Sequence, residues 1–197
     1  MQTEVEAKFL NADHEKIRQK LKDMGAKLEH PLRMMVRNNF DYPDLRLEKI
    51  GGWIRVRDEG DKVTMSYKQL NDRSLHGTKE VNLVVDDFNT ARDFLEAIGL
   101  KLFNYQETKR ESWSLGKVQV ELDEWPWIKP FVELEADNEE ELKAAAEKLS
   151  LDFETAVHGS VEVAYLAEYD VTEAEVDGWP EIKFSPVPDW LESRRKV

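Results

Sequence analysis

The chain has 197 residues, 41% of them hydrophobic and 35% charged, with a formal net charge of -13 and no cysteine. This length and composition allow a folded core and exclude a disordered chain. The acidic balance disfavours a broad nucleic-acid-binding face, and the lack of thiols excludes disulfides, thiolate nucleophiles and thiolate metal sites. No apolar run approaches the ~20 residues a membrane helix needs. The start, Met1-Gln2-Thr3-Glu4, has neither the basic nor the apolar region of a secretion signal, so a cytoplasmic protein is expected.

Thr3 to Phe9 alternates: Glu4, Glu6 and Lys8 on one face, Val5, Ala7 and Phe9 on the other, which is the period of a strand. A helix is expected next, capped by Asp13, striped by Ile17, Leu21 and Met24, and ended at Gly25. Two-faced strands follow at about 34–41, 53–58, 63–69 and 78–85. A second helix runs from about Asn89 to Ile98 and closes at Gly99. Strands are expected near 105–113, 117–123 and 131–136, then a helix from Asn138 to about Leu149 with Glu141 at a capping-box position. Residues 160–169 read as a short helix. The tail from Val171, with Pro180, Pro186 and Pro188, is less regular.

An internal echo relates Leu21-x-x-Met24-Gly25-Ala26-Lys27-Leu28 to Leu95-x-x-Ile98-Gly99-Leu100-Lys101-Leu102, and the same offset brings Glu6 onto Glu80. Glu133-x-Glu135 again precedes a helix. A charged strand with a covering helix therefore recurs, which points to a pseudo-symmetric sheet.

Six strands present one apolar and one ionic face. The ionic residues are Glu4, Glu6 and Lys8; Arg55 and Arg57; Lys68; Glu80; Glu121 and Asp123; Glu133 and Glu135. Any single pair reads as a solvated face of an antiparallel sheet. The whole set reads differently: a sheet closed into a barrel turns its ionic side inward and its apolar side out beneath amphipathic helices. Residues two apart lie about 6.6 Å apart along a strand, a spacing suited to successive phosphates. Arginine and lysine suit phosphate oxygens, and clustered carboxylates suit Mg²⁺ or Mn²⁺. The aromatic residues Trp113, Tyr67 and Phe131 are expected on apolar faces beneath helices, as are Phe40 and Tyr42.

These residues carry a resemblance. Glu4-Val5-Glu6-Ala7-Lys8 resembles the ExExK signature of CYTH proteins, the triphosphate tunnel metalloenzymes. Phe40-Asp41-Tyr42-Pro43-Asp44-Leu45-Arg46-Leu47, Trp53-Ile54-Arg55-Val56-Arg57 and Met65-Ser66-Tyr67-Lys68 resemble its next three stretches. Lys109-Arg110-Glu111, Val120-Glu121-Leu122-Asp123 and Phe131-Val132-Glu133-Leu134-Glu135 follow in the family's order. The resemblance covers about residues 3–169. It implies an α+β fold: an eight-stranded antiparallel barrel forming a tunnel, with helices packed outside. A barrel domain over 1–170 and a C-terminal tail over 171–197, packed on the barrel or free, are the expected divisions.

By position, the resemblance implies triphosphate contacts at Lys8, Arg37, Arg55, Arg57, Lys68 and Arg110. It implies metal-side or water-orienting roles for Glu4, Glu6, Asp123, Glu133 and Glu135, with Glu80 and Glu121 as further metal candidates. Glu4, Glu6, Lys8 and Asp123 form the expected catalytic set. The implied activity is metal-dependent hydrolysis of inorganic tripolyphosphate or an organic triphosphate, using Mg²⁺ or Mn²⁺. Two readings stay open beside it: a class IV adenylyl cyclase that turns ATP into cyclic AMP and pyrophosphate, and a non-catalytic polyphosphate- or nucleotide-binding module. The expected partner is a small triphosphate, with no membrane or nucleic acid, and a homodimer is left open.

The sequence departs from the family pattern in three places, the last of them the tail after Val171. Thr108 stands where many members carry Lys, with Lys109 on the other face. A stiff turn, Trp125-Pro126-Trp127-Ile128-Lys129-Pro130, replaces a Gly-containing one. Lys183 reads as a solvated tail lysine rather than an added base in the tunnel.

Overall fold

The computed structural model describes residues 2–3, 5–72 and 74–196. Glu4 therefore lies outside the described residues. Ten strands form one sheet: β1 (Gln2–Thr3), β2 (Val5–Leu10), β3 (Lys27–Asp41), β4 (Gly52–Asp58), β5 (Val63–Leu70), β6 (Thr78–Val85), β7 (Lys101–Leu115), β8 (Val118–Glu124), β9 (Phe131–Ala136) and β10 (Glu181–Ile182). The helices are α1 (His14–Asp23), α2 (Phe88–Ala97), α3 (Glu139–Leu149), α4 (Glu162–Glu168), α5 (Glu173–Asp177) and α6 (Asp189–Glu192).

The sheet runs β1-β6-β5-β4-β3-β7-β8-β9-β2, antiparallel throughout, with β10 added in parallel beside β7. β1 and β2 are neighbours in sequence but sit at opposite ends of this path, β1 on β6 and β2 on β9. The sheet therefore curls round until both of its edges meet the N-terminal segment. β2 to β9 are the eight long antiparallel strands expected of the barrel.

The echo in the sequence is an echo in the fold. The spacing that relates Leu21 to Leu95 also relates the first and last residues of β3 to those of β7, and these two 15-residue strands pair along their length. Both preceding helices end alike. The Ala26 N–H reaches the Leu21 carbonyl at 2.9 Å and the Leu100 N–H the Leu95 carbonyl at 3.0 Å, with Gly25 and Gly99 in the left-handed region. This is a Schellman ending, which glycine enters without a Cβ penalty.

Both strands start earlier than their hydrophobic alternation suggests. In β3 the early part is interrupted by Pro31, which has no N–H to donate, and the register with β7 shifts between His30 and Arg33. A second irregularity follows Asn39: Asn39 faces Asn104 and Phe40 faces Leu102, so Phe103 is unpaired.

Apolar side chains gather in three patches, two of them on the outside of the barrel beneath helices. α1 and α3 lie over β2, β8 and β9, burying Ile17, Leu21, Trp113, Leu134 and Leu142. Arg18 of α1 fixes this layer through Glu111 on β7, with nitrogen–oxygen distances of 2.9 and 3.0 Å. α2 covers Phe40 and Val56. The third patch lies beside the Trp125–Pro130 turn, where Tyr165, Tyr169, Val176, Ile182 and Leu191 bury Trp125 and Phe131. Trp113 lies beneath a helix as expected. Phe131 does not: it shares strand parity with Glu133 and faces the barrel interior, where it lines the central cavity. Among the described residues no helix is long and apolar enough to cross a membrane.

The third strand–helix unit repeats the Schellman ending without its glycine. The Leu151 N–H bonds the Ala146 carbonyl at 2.8 Å, and Ser150 holds φ 57°. A side chain in this region is strained by about 1 kcal/mol. Ser150→Gly should therefore raise the unfolding free energy by about 0.5–1 kcal/mol in urea titrations. A loss of stability would show that the serine side chain makes up for its own strain.

Candidate functional site

Inside the barrel lies a cavity of about 530 Å³. The bases Lys8, Arg37, Arg55, Arg57, Lys68 and Arg110 all line it, as do the acids Glu6, Glu80, Asp123, Glu133 and Glu135. They come from eight strands, β2 to β9, whose inward residues alternate with the apolar ones already described. Of the residues singled out from sequence, Glu121 faces inward but does not line the cavity, and Glu4 falls outside the described residues.

The register builds the site. Glu6 faces Glu135 and Lys8 faces Glu133 across β2 and β9; Arg37 faces Arg57 across β3 and β4; Lys68 faces Glu80 across β5 and β6; Arg110 faces Asp123 across β7 and β8. Lys8 lies 3.3 Å from Glu6 and 3.1 Å from Glu133. Arg110 grips Asp123 with two bonds, 2.6 and 2.5 Å, and reaches Glu133 at 3.4 Å. Glu80 lies 3.3 Å from Arg55 and 3.5 Å from Lys68.

These pairings decide the charge states. Burial works against a charged Lys8, but Glu133 and Glu6 outweigh it and raise its pKa. Burial also opposes Arg110, and Asp123, Glu133 and Glu121 overcome it. Glu133 is held far below the usual carboxylate range: burial pushes it up, and Lys8 and Arg110 pull it down further. Glu135 goes the other way, raised by the enclosing wall and then by the carboxylates of Glu133 and Glu6. Crowded, partly uncompensated carboxylates on β2 and β9 are a place for a cation.

Arg37 is different. Its side chain is 8% exposed, and it makes no ion pair among the described residues. One terminal nitrogen donates to Thr108 Oγ1 at 3.1 Å, the guanidinium stacks 4.6 Å over the Trp125 ring, and its Nε is buried without a partner. Burial, then Arg55, Arg57 and Arg110, pushes its pKa well down. A guanidinium keeps its proton at neutral pH even so. The cavity thus holds a cation that favours an incoming anion.

Several participants escaped the sequence reading. Thr108 supports Arg37 instead of supplying a charge. Trp125 lies under Arg37 and is one of the two ends of the stiff turn. That turn is fastened by the Tyr165 hydroxyl on the Pro126 carbonyl at 2.9 Å and by the Tyr169 hydroxyl on the Trp127 carbonyl. Trp127 itself sits at φ 71°. Asp41, from the Phe40–Leu47 stretch, accepts backbone N–H bonds from Tyr42, Leu47 and Glu48 at 2.6 to 3.1 Å, so it shapes the loop at the cavity mouth. Lys183 is exposed and pairs with Glu181 at 2.5 Å, away from the cavity. Parity could have found Arg33 and Glu59, which lie an even number of residues from Arg37 and Arg57 on the same chain face. No local signal marks the acids that α4 and α5 bring to the mouth.

Those acids, Glu162, Glu173 and Asp177, line the mouth with Glu48. Desolvation there, then Glu162, pushes Asp177 up to about 8. Between the ordinary Asp value of about 3.9 and about 8, the folded chain holds a proton that the unfolded chain has released. Stability therefore falls as pH rises through this window and levels off above it. The fall in Tm from about pH 5 to about pH 9 should be smaller in Asp177→Asn. Parallel curves for the two proteins would show that Asp177 titrates normally.

The CYTH domain model matches residues 2–162. No curated protein matches the chain. Among solved structures, a Pyrococcus horikoshii OT3 protein is 25% identical with a TM-score of 0.63, covering 78% of this chain and 93% of its own. A proposed adenylate cyclase from Vibrio parahaemolyticus is 18% identical with a TM-score of 0.71, covering 83% and 97%. A Hippeastrum protein, a proposed adenylyl cyclase described as having a dominant triphosphatase activity, is 14% identical with a TM-score of 0.53, covering 88% and 94%. The last two likenesses are of fold. With the ionic barrel interior in place and the family match spanning most of its length, the chain belongs to the CYTH domain family.

Proposed function

We propose that this chain hydrolyses a triphosphate inside the barrel, with inorganic tripolyphosphate or an organic triphosphate as substrate. The observation that carries this reading is Arg37: a buried cation without an acid partner among the described residues, opposite Arg57 and facing a cavity of about 530 Å³. A chain of phosphates is the ligand that uses several bases on different strands at once. Lys8, Arg55, Lys68 and Arg110 are already matched by acids, so they can meet an anion without first being desolvated on their own.

The donor set fits a hard divalent cation in a particular way. Among the described residues no three acidic or imidazole side chains converge closely enough to hold a metal alone. Mg²⁺ is commonly held by one or two carboxylates completed by water and phosphate oxygens, and the Glu6, Glu133 and Glu135 group offers that. When bound, Mg²⁺ or Mn²⁺ adds positive charge at the phosphate oxygens.

The protein's own groups do the rest. Arg37 and Arg55 grip phosphate oxygens and hold the chain along the cavity. Lys8 and Arg110 stabilise the charge that builds on the leaving phosphate. Asp123, only 1% exposed and doubly bonded to Arg110, positions that arginine. The nucleophile is water: none of the four histidines lines the cavity, and the chain has no cysteine.

The test is phosphate release from inorganic tripolyphosphate with Mg²⁺ or Mn²⁺, against a chelator control. Release should depend on the metal and fall on the order of a hundredfold in Glu6→Gln. Near-normal turnover in that variant would remove the carboxylate from the mechanism. Pyrophosphate and cyclic AMP from ATP, with no phosphate from tripolyphosphate, would make the chain a cyclase.

A further inference from the structure

The indole beneath Arg37 is held by residues much later in the chain. Trp125 opens the Trp125–Pro130 turn, and α4, with the residue that ends it, binds three polar backbone groups of that turn. The Tyr165 hydroxyl donates to the Pro126 carbonyl at 2.9 Å, the Tyr169 hydroxyl donates to the Trp127 carbonyl, and the Lys129 N–H donates to the Glu168 carboxylate. Burial lifts the Tyr169 pKa above its ordinary value, so the hydroxyl keeps the proton it donates.

Arg195 gathers two of these three holders. Its Nη2 donates to the Tyr169 hydroxyl at 2.5 Å, its Nη1 donates to Glu168 at 3.1 Å, and its guanidinium lies 4.6 Å over the Tyr169 ring. Glu192 steadies Arg195 in turn, with nitrogen–oxygen distances of 3.0 and 2.8 Å. The backbone joins the same places: Tyr169 and Arg195 form an antiparallel bridge, and the Lys196 N–H reaches the Glu168 carbonyl at 2.8 Å. Tyr165, Glu168, Tyr169 and Arg195 all lie beyond residue 162, outside the stretch that matches the family.

This bears on Arg37 in particular. Lys8, Arg55, Lys68 and Arg110 are placed by acids on other strands. Arg37 has no such acid among the described residues, and its contacts are the Thr108 hydroxyl and the Trp125 ring. A guanidinium stacked on an indole keeps its place only as well as the indole does, and a shift of about 1 Å in a binding group costs much of its strength. We propose that Arg195 is a positioning residue for Arg37: through Tyr169 and Glu168 it fixes the Trp125–Pro130 turn, and through Trp125 it aims the guanidinium that meets the anion. The proposal rests on the triphosphate reading of the cavity. It makes the tail a supporting wall of the site rather than an appendage. Arg194 supplies the control: it carries the same charge one residue earlier, and its side chain pairs with Glu175 at 2.8 Å rather than with a group that holds the turn.

The experiment is calorimetric binding of inorganic tripolyphosphate to the full chain and its variants, with Tm measured for each. Arg37→Gln should weaken binding on the order of a hundredfold and Arg195→Gln on the order of tenfold. Arg194→Gln should stay within about twofold of wild type. In the double variant Arg37→Gln/Arg195→Gln the loss should match that of Arg37→Gln alone, because a residue that acts through Arg37 then has nothing left to position. Tyr169→Phe keeps the ring and removes the bond to the turn. It should weaken binding about threefold or more, and it covers the case in which Arg195→Gln does not fold. Unchanged affinity in both Arg195→Gln and Tyr169→Phe would overturn the proposal. Equal losses in Arg194→Gln and Arg195→Gln, a general charge effect, would do the same, as would losses that multiply in the double variant. Each of these outcomes leaves the triphosphate reading intact. No binding of tripolyphosphate by wild type would overturn both.

Discussion

Charges removed from water must be matched, and the interior of this barrel is organised around that constraint. Taking an ion out of water costs several kcal/mol even after relaxation. Lys8, Arg110 and Lys68 lie inside because Glu133, Asp123 and Glu80 lie on the next strand at the facing position. The register that makes these matches is itself set by the outer face, since a slip of one residue would turn the apolar set inward. Packing under the helices and pairing inside the tunnel are therefore one specification seen from two sides.

Against this background the exceptions stand out. Among the described residues Arg37 has no acid partner and is steadied by two groups that offer it no charge, the Thr108 hydroxyl and the Trp125 ring. Arg57 is the reverse, an arginine paired with Glu59 two residues further along the chain. The two face each other across β3 and β4.

Much of this was legible in the sequence. The alternation in each strand named the inward residues, because burial on one face leaves a period of two whatever the tertiary context. The echo of Leu21–Leu28 in Leu95–Leu102 marked the two units whose strands meet at the middle of the sheet. Less was legible where position depends on chain reversal. Glu59 lies just beyond the end of β4, so its parity with Arg57 was readable but the turn that holds it was not. Phe131 was assigned to the wrong face although its parity with Glu133 was readable. The acids Glu162 and Asp177 reach the mouth from helices, where no strand parity applies. The Trp125–Pro130 turn showed its stiffness in its composition, but its anchors, Tyr165 and Tyr169, are about forty residues away in sequence.

The stacking of Arg37 on Trp125 has an optical consequence. An indole's emission responds to nearby charge and to the polarity around the ring, and this indole is 5% exposed with a cation on its face. An anion that engages the guanidinium alters the field at the ring at the moment of binding. The cavity thus contains its own fluorophore, and occupancy can be followed in the unlabelled protein as a change in tryptophan emission.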